Sequence, residues 1–325
     1  MRSYRFLWAV IYGLVLVSFT VYACLDTFVI QRVYEIPEQP VTRFTESVTS
    51  ASESAAGTET DVESETAAVT GETSGAPETE PYVTDDSYDD GNIKITLTEY
   101  RYGDTTVYVA DVLLSDPSYL KTALARSVYG RNVTEKTSVT ASQNGAILAV
   151  NGDYYGARQK GYVIRNGILY RNTPVSGAED LVIYRDGTFG VISESDVTAE
   201  ELLEAGASDV LSFGPALIRD GVIAVSEDDE VGRAMASNPL TAVGVIDGLH
   251  YVFVVSDGRT DESAGLDLYE LADFMSRLGV TTAYNLDGGG SSTMVFNGSV
   301  VNNPTTNGKK ITERSVSDIV YVGYR

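Results

Sequence analysis

The segment Asn285-Leu286-Asp287-Gly288-Gly289-Gly290-Ser291-Ser292-Thr293 gathers a carboxylate, three consecutive glycines and three hydroxyls. Ordering three glycines in a row costs conformational entropy, so the run implies a backbone that approaches something closely or adopts positive φ. Successive amides there can form a concave anion nest, with Ser291, Ser292 and Thr293 as added donors. Asn151-Gly152-Asp153-Tyr154-Tyr155-Gly156 sets an amide and a carboxylate beside two aromatic rings, whose faces can stack on sugar rings. Ser256-Asp257-Gly258-Arg259 offers a guanidinium able to clamp an anion bidentately. Glu313-Arg314 offers a second guanidinium, unless the two form a plain surface ion pair. This inventory suits a substrate that carries both a sugar and a phosphate.

Composition removes the main alternatives. The 325 residues hold 46 acids against 23 Lys plus Arg, a net charge of −23, which argues against a nucleic-acid partner. One Cys and one His exclude a disulfide framework, a Cys-rich zinc site and a multi-His metal site. A Ser-His-Asp triad would have to use His250, which adjoins a turn at a strand start and reads as a packing or surface residue. The oxygen-rich loops are compatible with a divalent ion such as Ca²⁺, but no EF-hand-like spacing supports one, and no cofactor is expected.

The four loops sit among short β-type runs. Ile95–Tyr100 and Thr106–Leu114 flank Gly103-Asp104, and Ala146–Val150 leads into Asn151. Asn166-Gly167, Asp186-Gly187, Asp247-Gly248 and Asn297-Gly298 each separate two apolar runs, the strongest short-range hairpin signal. Thr281–Tyr284 enters the glycine run, and Ile319–Tyr324 closes the chain. Two helices are expected. Thr198-x-x-Glu201 is a capping box opening Thr198–Ala205, and Leu268–Leu278 follows Asp267 and stops at Gly279. The fold class is therefore α+β, a mainly antiparallel sheet core with a few flanking helices.

Three regions follow from charge and hydropathy. Residues 1–40 hold the uncharged run Phe6–Cys24 behind Arg2 and Arg5, and its 19 residues are long enough to cross a bilayer. The basic residues in front predict a single-pass anchor with the rest of the chain outside the cell. A cleaved signal peptide is the alternative, although 19 apolar residues is long for one. Residues 41–90 hold 17 Ser or Thr, 13 acids and one basic residue, which predicts a disordered spacer holding the domain away from the membrane. Residues 91–325 carry the folded domain.

The order NGDYY (151–155), FGPALIRDG (213–221), NPLTAVG (238–244), SDGR (256–259), NLDGGGSSTMV (285–295) and ERSVSDIVYV (313–322) resembles the phosphodiester glycosidase family. The resemblance implies hydrolysis of the bond between an anomeric carbon and a phosphodiester oxygen, in an envelope or exopolysaccharide glycan. It assigns Arg259, Arg314 and the Gly288–Ser292 nest to phosphate. Asp287 and Asp153 become candidates for acid/base work or cation stabilisation, and Asn151 and Tyr154 for holding the sugar. Asp257, Asn285 and Thr293 complete the expected site. Family members commonly read Pro-Arg-Thr-Ala where this chain has Pro239-Leu240-Thr241-Ala242. A non-catalytic glycan-binding or polymer-assembly module is therefore carried as the rival reading. A metal-dependent hydrolase built on Asp153, Asp257 and Asp287 is the third.

Overall fold

The computed structural model describes residues 7–34, 80–226 and 237–325, so the expected disorder of 41–79 lies outside the described residues. Three antiparallel sheets meet around one core. The largest has nine strands, ordered Val222–Ile223, Ala216–Arg219, Thr282–Asn285, Thr241–Asp247, His250–Ser256, Thr105–Leu114, Ile93–Tyr102, Ser87–Asp89 and Tyr82–Val83. A second runs Ser299–Val300, Met294–Phe296, Leu148–Asn151, Asp318–Val322 and Leu120–Leu124. The third runs Ile168–Arg171, Val163–Arg165, Ala207–Leu211, Glu179–Tyr184 and Phe189–Ser193.

Period-two alternation sorts the strand Thr105–Leu114 between two cores. Tyr108, Ala110 and Val112 face the interior shared with Leu148 and Val320 of the second sheet and Leu181 of the third. Val107 and Val109 face the opposite way, against Leu271, Ala272 and Met275 of a helix. That apolar helical stripe is core, as its spacing implied.

Four α-helices are described: α1 (Leu7–Phe28), α2 (Thr137–Gln143), α3 (Ala199–Glu204) and α4 (Leu268–Arg277). The expected capping box forms at Thr198, a second closes between Asp267 and Glu270, and Gly279 ends α4 at φ +83°. α2 was not foreseen, because its hydroxyl-rich sequence is a poor helix former. Its N-terminal amide and hydroxyl at Ser138 are held at 2.9 and 2.6 Å by Glu313, 175 residues away, a cap that no local pattern contains.

The boundary set at Gly91 needs correction. Tyr82–Val83 and Ser87–Asp89 extend the large sheet, and buried Asp90 accepts the Tyr88 and Tyr324 hydroxyls at 2.7 and 2.6 Å. Averaged composition hid these tyrosines inside an acidic stretch.

Fully buried Arg165 joins the sheets. Its Nη2 lies 2.9 Å from Asp153 and 2.6 Å from Asp318, and its Nη1 donates to the carbonyls of Ile164 and Val210. Arg165→Leu would leave two buried carboxylates facing each other. The expected loss is about 3–5 kcal/mol of unfolding free energy, read from the denaturant midpoint, and an unchanged midpoint would contradict this role.

Candidate active site

The glycine run crosses from the large sheet to the second. Leu286 follows the strand Thr282–Asn285, and Met294 opens the strand paired with Leu148–Asn151. Asn151 fixes the crossing: its Nδ2 donates to the Asp287 carbonyl at 2.6 Å, and its Oδ1 accepts from Thr241 Oγ1 at 2.9 Å and Thr293 N at 3.1 Å. It is completely buried and lines neither cavity at the site. Asn151 therefore positions Asp287, which corrects its expected place on the sugar.

A cavity of about 700 Å³ opens at this crossing, within the range of small-ligand sites. Asp287, Asn285, Gly288, Gly289, Arg259 and Arg314 all line it, so six of the expected residues converge. Each glycine is needed by close packing. A Cβ on Gly289 would stand 2.9 Å from Arg259 Nη2, and the residue sits at φ +63°. A Cβ on Gly290 would stand 2.9 Å from Arg314 Nη2, and one on Gly288 3.1 Å from the Pro239 carbonyl. The run is bare so that two guanidinium groups can lie against it.

The anion nest expected of the backbone is largely committed. The amides of Gly289, Ser291, Ser292 and Thr293 donate to Pro239, Gly288, Gly289 and Asn151 respectively. The charged donors beside this run are the arginines. Arg259, held in the left-handed region at φ +63°, donates to Asn238 Oδ1 at 2.8 and 3.1 Å and to the Thr306 carbonyl at 2.8 Å. Arg314 approaches Ser291 Oγ at 3.5 Å. None of these acceptors is a carboxylate. Burial and the neighbouring Arg314 charge pull the Arg259 guanidinium below its ordinary range. Glu313 is engaged by α2 rather than by Arg314, so the expected alternative of a surface pair does not form between them.

Asp287 is half-buried at the cavity wall. Burial pushes its carboxyl above the usual range, opposed by the Ser291 hydroxyl and the Arg314 charge. Asp153 is placed differently: it accepts from Tyr155 N at 2.8 Å and Ser212 N at 2.9 Å, besides Arg165, with 1% exposure. Asp257 is likewise buried, held by Asn303 N and Nδ2 at 2.8 Å each. Among the described residues no group of three or more His, Cys, Asp or Glu could hold a metal, so the triad of Asp153, Asp257 and Asp287 does not assemble. Tyr154 is exposed and lines a neighbouring cavity with Ser291, while Ser292 and Thr293 are fully buried. His250 pairs with Asp111 at 3.0 Å and does not line the larger cavity.

Sequence reasoning missed Arg158, Phe213 and Glu179 in the same wall. Arg158 donates to the Ser212 carbonyl at 3.0 Å with its guanidinium 5.6 Å from the Phe213 ring centre. Arg158 lies just beyond the loop Asn151–Gly156, and a lone Arg carries no motif.

Residues 144–323, more than half of the chain, match the family model described as phosphodiester glycosidase, and the chain belongs to that family. It is 32% identical over 194 residues to mouse N-acetylglucosamine-1-phosphodiester alpha-N-acetylglucosaminidase, covering 54% of this chain and 36% of that one. It is 28% identical over 205 residues to the SPbeta prophage-derived uncharacterized protein YomE of Bacillus subtilis (strain 168), covering 61% and 31%. The chain thus spans about a third of the length of these curated relatives. The solved catalytic domain of the zebrafish N-acetylglucosamine-1-phosphodiester alpha-N-acetylglucosaminidase, auto-inhibited by its pro-peptide, superposes with a TM-score of 0.57 at 25% identity, covering 72% of this chain and 83% of that one.

Asn151→Ala would strand the Asp287 carbonyl, the Thr241 hydroxyl and the Thr293 amide. It should cost about 1–3 kcal/mol of stability in denaturant unfolding without any ligand present. A residue that served the ligand alone would leave that midpoint unmoved.

Proposed function

We propose that this chain hydrolyses a sugar-1-phosphodiester, splitting the bond between the anomeric carbon and the phosphodiester oxygen. The observation that carries the reading is the pair of guanidinium groups, bonded only to neutral acceptors, that share one cavity with a half-buried carboxylate. Two adjacent cations in a cavity wall disfavour each other until an anion lies between them, and a phosphodiester supplies that charge. Membership of the phosphodiester glycosidase family points the same way.

A phosphodiester departs readily, so protonating the leaving oxygen matters less than it does for an ordinary glycoside. The cost lies in the oxocarbenium-like centre and the departing anion. Arg259 and Arg314 would hold the phosphate and take up the charge as the bond breaks. Ionised Asp287 would face the cationic anomeric carbon and accept the proton of the attacking water. The Phe213 ring in the cavity wall is available to a sugar face. The water oxygen joins the anomeric carbon while the bonding electron pair leaves with the phosphate oxygen.

The basic residues Arg2 and Arg5 ahead of the apolar helix support a domain on the outer side of the cell membrane. An envelope or exopolysaccharide glycan is then the accessible substrate. Leu240 in the cavity wall, where the family resemblance expects Arg, favours a second reading as a glycan-binding module without turnover. Release of free sugar from a sugar-1-phosphodiester by the full chain decides between them, and binding without release selects the second.

The raised Asp287 carboxyl gives a signed pH dependence. The rate needs the ionised form, so it should fall as pH drops through a value above the ordinary carboxylate range of about 4. The linked effect on stability runs the other way. A carboxyl that holds its proton more tightly when folded contributes stability below the unfolded pKa, and loses it as pH rises through the folded one. At neutral pH Asp287→Asn should therefore abolish turnover while holding or raising the melting temperature. A variant that still turns over would remove Asp287 from the chemistry. Arg259→Ala should lose about 1.5–3 kcal/mol of phosphate stabilisation, seen as a fall in kcat/KM.

A further inference from the structure

Beside the larger cavity lies a second, of about 360 Å³, bordered by Thr27, Asn132, Tyr154, Asp287, Arg314 and Ser317. Asp287 and Arg314 line both, so the second cavity is the far side of the same site. Thr27 is the last residue of the apolar segment Trp8–Thr27, 20 residues of which none is buried by the protein. A span of that length covers the hydrocarbon core, which sets Thr27 at the level of the lipid head groups.

The helix end is attached to the domain. Asn132 Nδ2 donates to the carbonyls of Thr27 at 3.2 Å and Ile30 at 3.0 Å. Arg32–Val33 pairs with Gly130–Arg131, and Tyr34 N donates to the Tyr129 carbonyl at 3.1 Å. The Tyr34 and Tyr129 rings lie 5.8 Å apart, and Arg131 reaches Asp26 at 3.7 Å. A Cβ on Gly130 would run into the Arg32 carbonyl, so this position is bare where the strands meet. The domain is thereby fixed at the helix end by its own surface, whatever the length of the segment between residues 34 and 80.

We infer that the substrate is presented from the bilayer, as a glycosyl phosphodiester whose second alcohol is a membrane lipid. The sugar occupies the larger cavity, the phosphate lies between Arg259 and Arg314, and the lipid ester leads out through the smaller cavity past Thr27. Water adds to the anomeric carbon, the electron pair of the broken bond stays on the phosphate oxygen, and the lipid phosphomonoester remains in the membrane. The inference rests on the hydrolase reading above and on α1 spanning the bilayer.

The test uses the full chain reconstituted in phosphatidylcholine vesicles. One substrate is a long-chain alkyl sugar-1-phosphodiester embedded in the same vesicles, and the other is the soluble methyl ester of the same sugar phosphate. The embedded substrate should be cleaved about tenfold faster, because it shares the membrane and meets the site in register. The double variant Asp26→Ala with Tyr34→Pro removes the ion pair and the Tyr34 amide while keeping the anchor. It should lose that preference and retain its rate on the methyl ester. Equal cleavage of both substrates by the unaltered chain, or a preference that survives in the variant, overturns the inference alone. Cleavage of neither overturns the hydrolase reading, and the inference falls with it.

Discussion

The buried guanidinium of Arg165 is the constraint on which the rest of the site depends. It comes from the third sheet, and it holds Asp153 in the loop after one strand of the second sheet and Asp318 at the start of another. From Asp318 the linkage continues outward. Its carbonyl accepts the Gly152 amide at 2.9 Å, and the Gly152 carbonyl accepts the Asp287 amide at 3.2 Å. The cavity carboxylate thus hangs from an ion cluster two residues below it. Two carboxylates share one guanidinium in a place with little water. Burial first, and then the Asp153 charge, push the Asp318 carboxyl up to about 8 despite its contacts with Arg165. The same Asp153 charge adds to the upward push on Asp287.

Above that buried cluster the wall is positive. Arg259 and Arg314 press against the glycine backbone because no Cβ is there to hold them off. A guanidinium bonded to an amide oxygen and a carbonyl keeps its full charge, and two of them side by side store repulsion that an incoming anion relieves. A site with cationic walls and a carboxylate at one edge can bind a phosphate and still tolerate developing positive charge on the sugar beside it. The attachment of α1 sets the direction from which such a ligand arrives.

Local chemistry was legible in the sequence wherever a signal occupies a few adjacent residues. The four Asn-Gly and Asp-Gly turns all join antiparallel strands, both capping boxes form, and the α4 stripe is buried. Asp287, Arg259 and Arg314 could be singled out because unusual residue types stood next to strand ends. Pairing between strands 100 or more residues apart leaves no local trace. Neither does a helix capped from the other end of the chain, and so α2 escaped notice, while the strands at 82–89 were hidden by the acidic composition around them.

The sequence by itself determined the hairpins, two of the domain's helices, the apolar helix and the set of polar groups available, because each depends on periodicity, turn chemistry and charge within a short window. Only the tertiary structure decided which of those groups are spent. Asn151, Asp153 and Asp257 look identical to ligand-binding residues in a string of letters. Folding closes each of them inside the protein, where its hydrogen-bonding capacity is taken by backbone amides, Arg165, Thr241 or Asn303. A buried polar group must be satisfied, and it draws on whichever partner the fold brings near. Asp287, Arg259 and Arg314 remain at an open wall because the glycines beside them leave room, and that difference exists only in three dimensions.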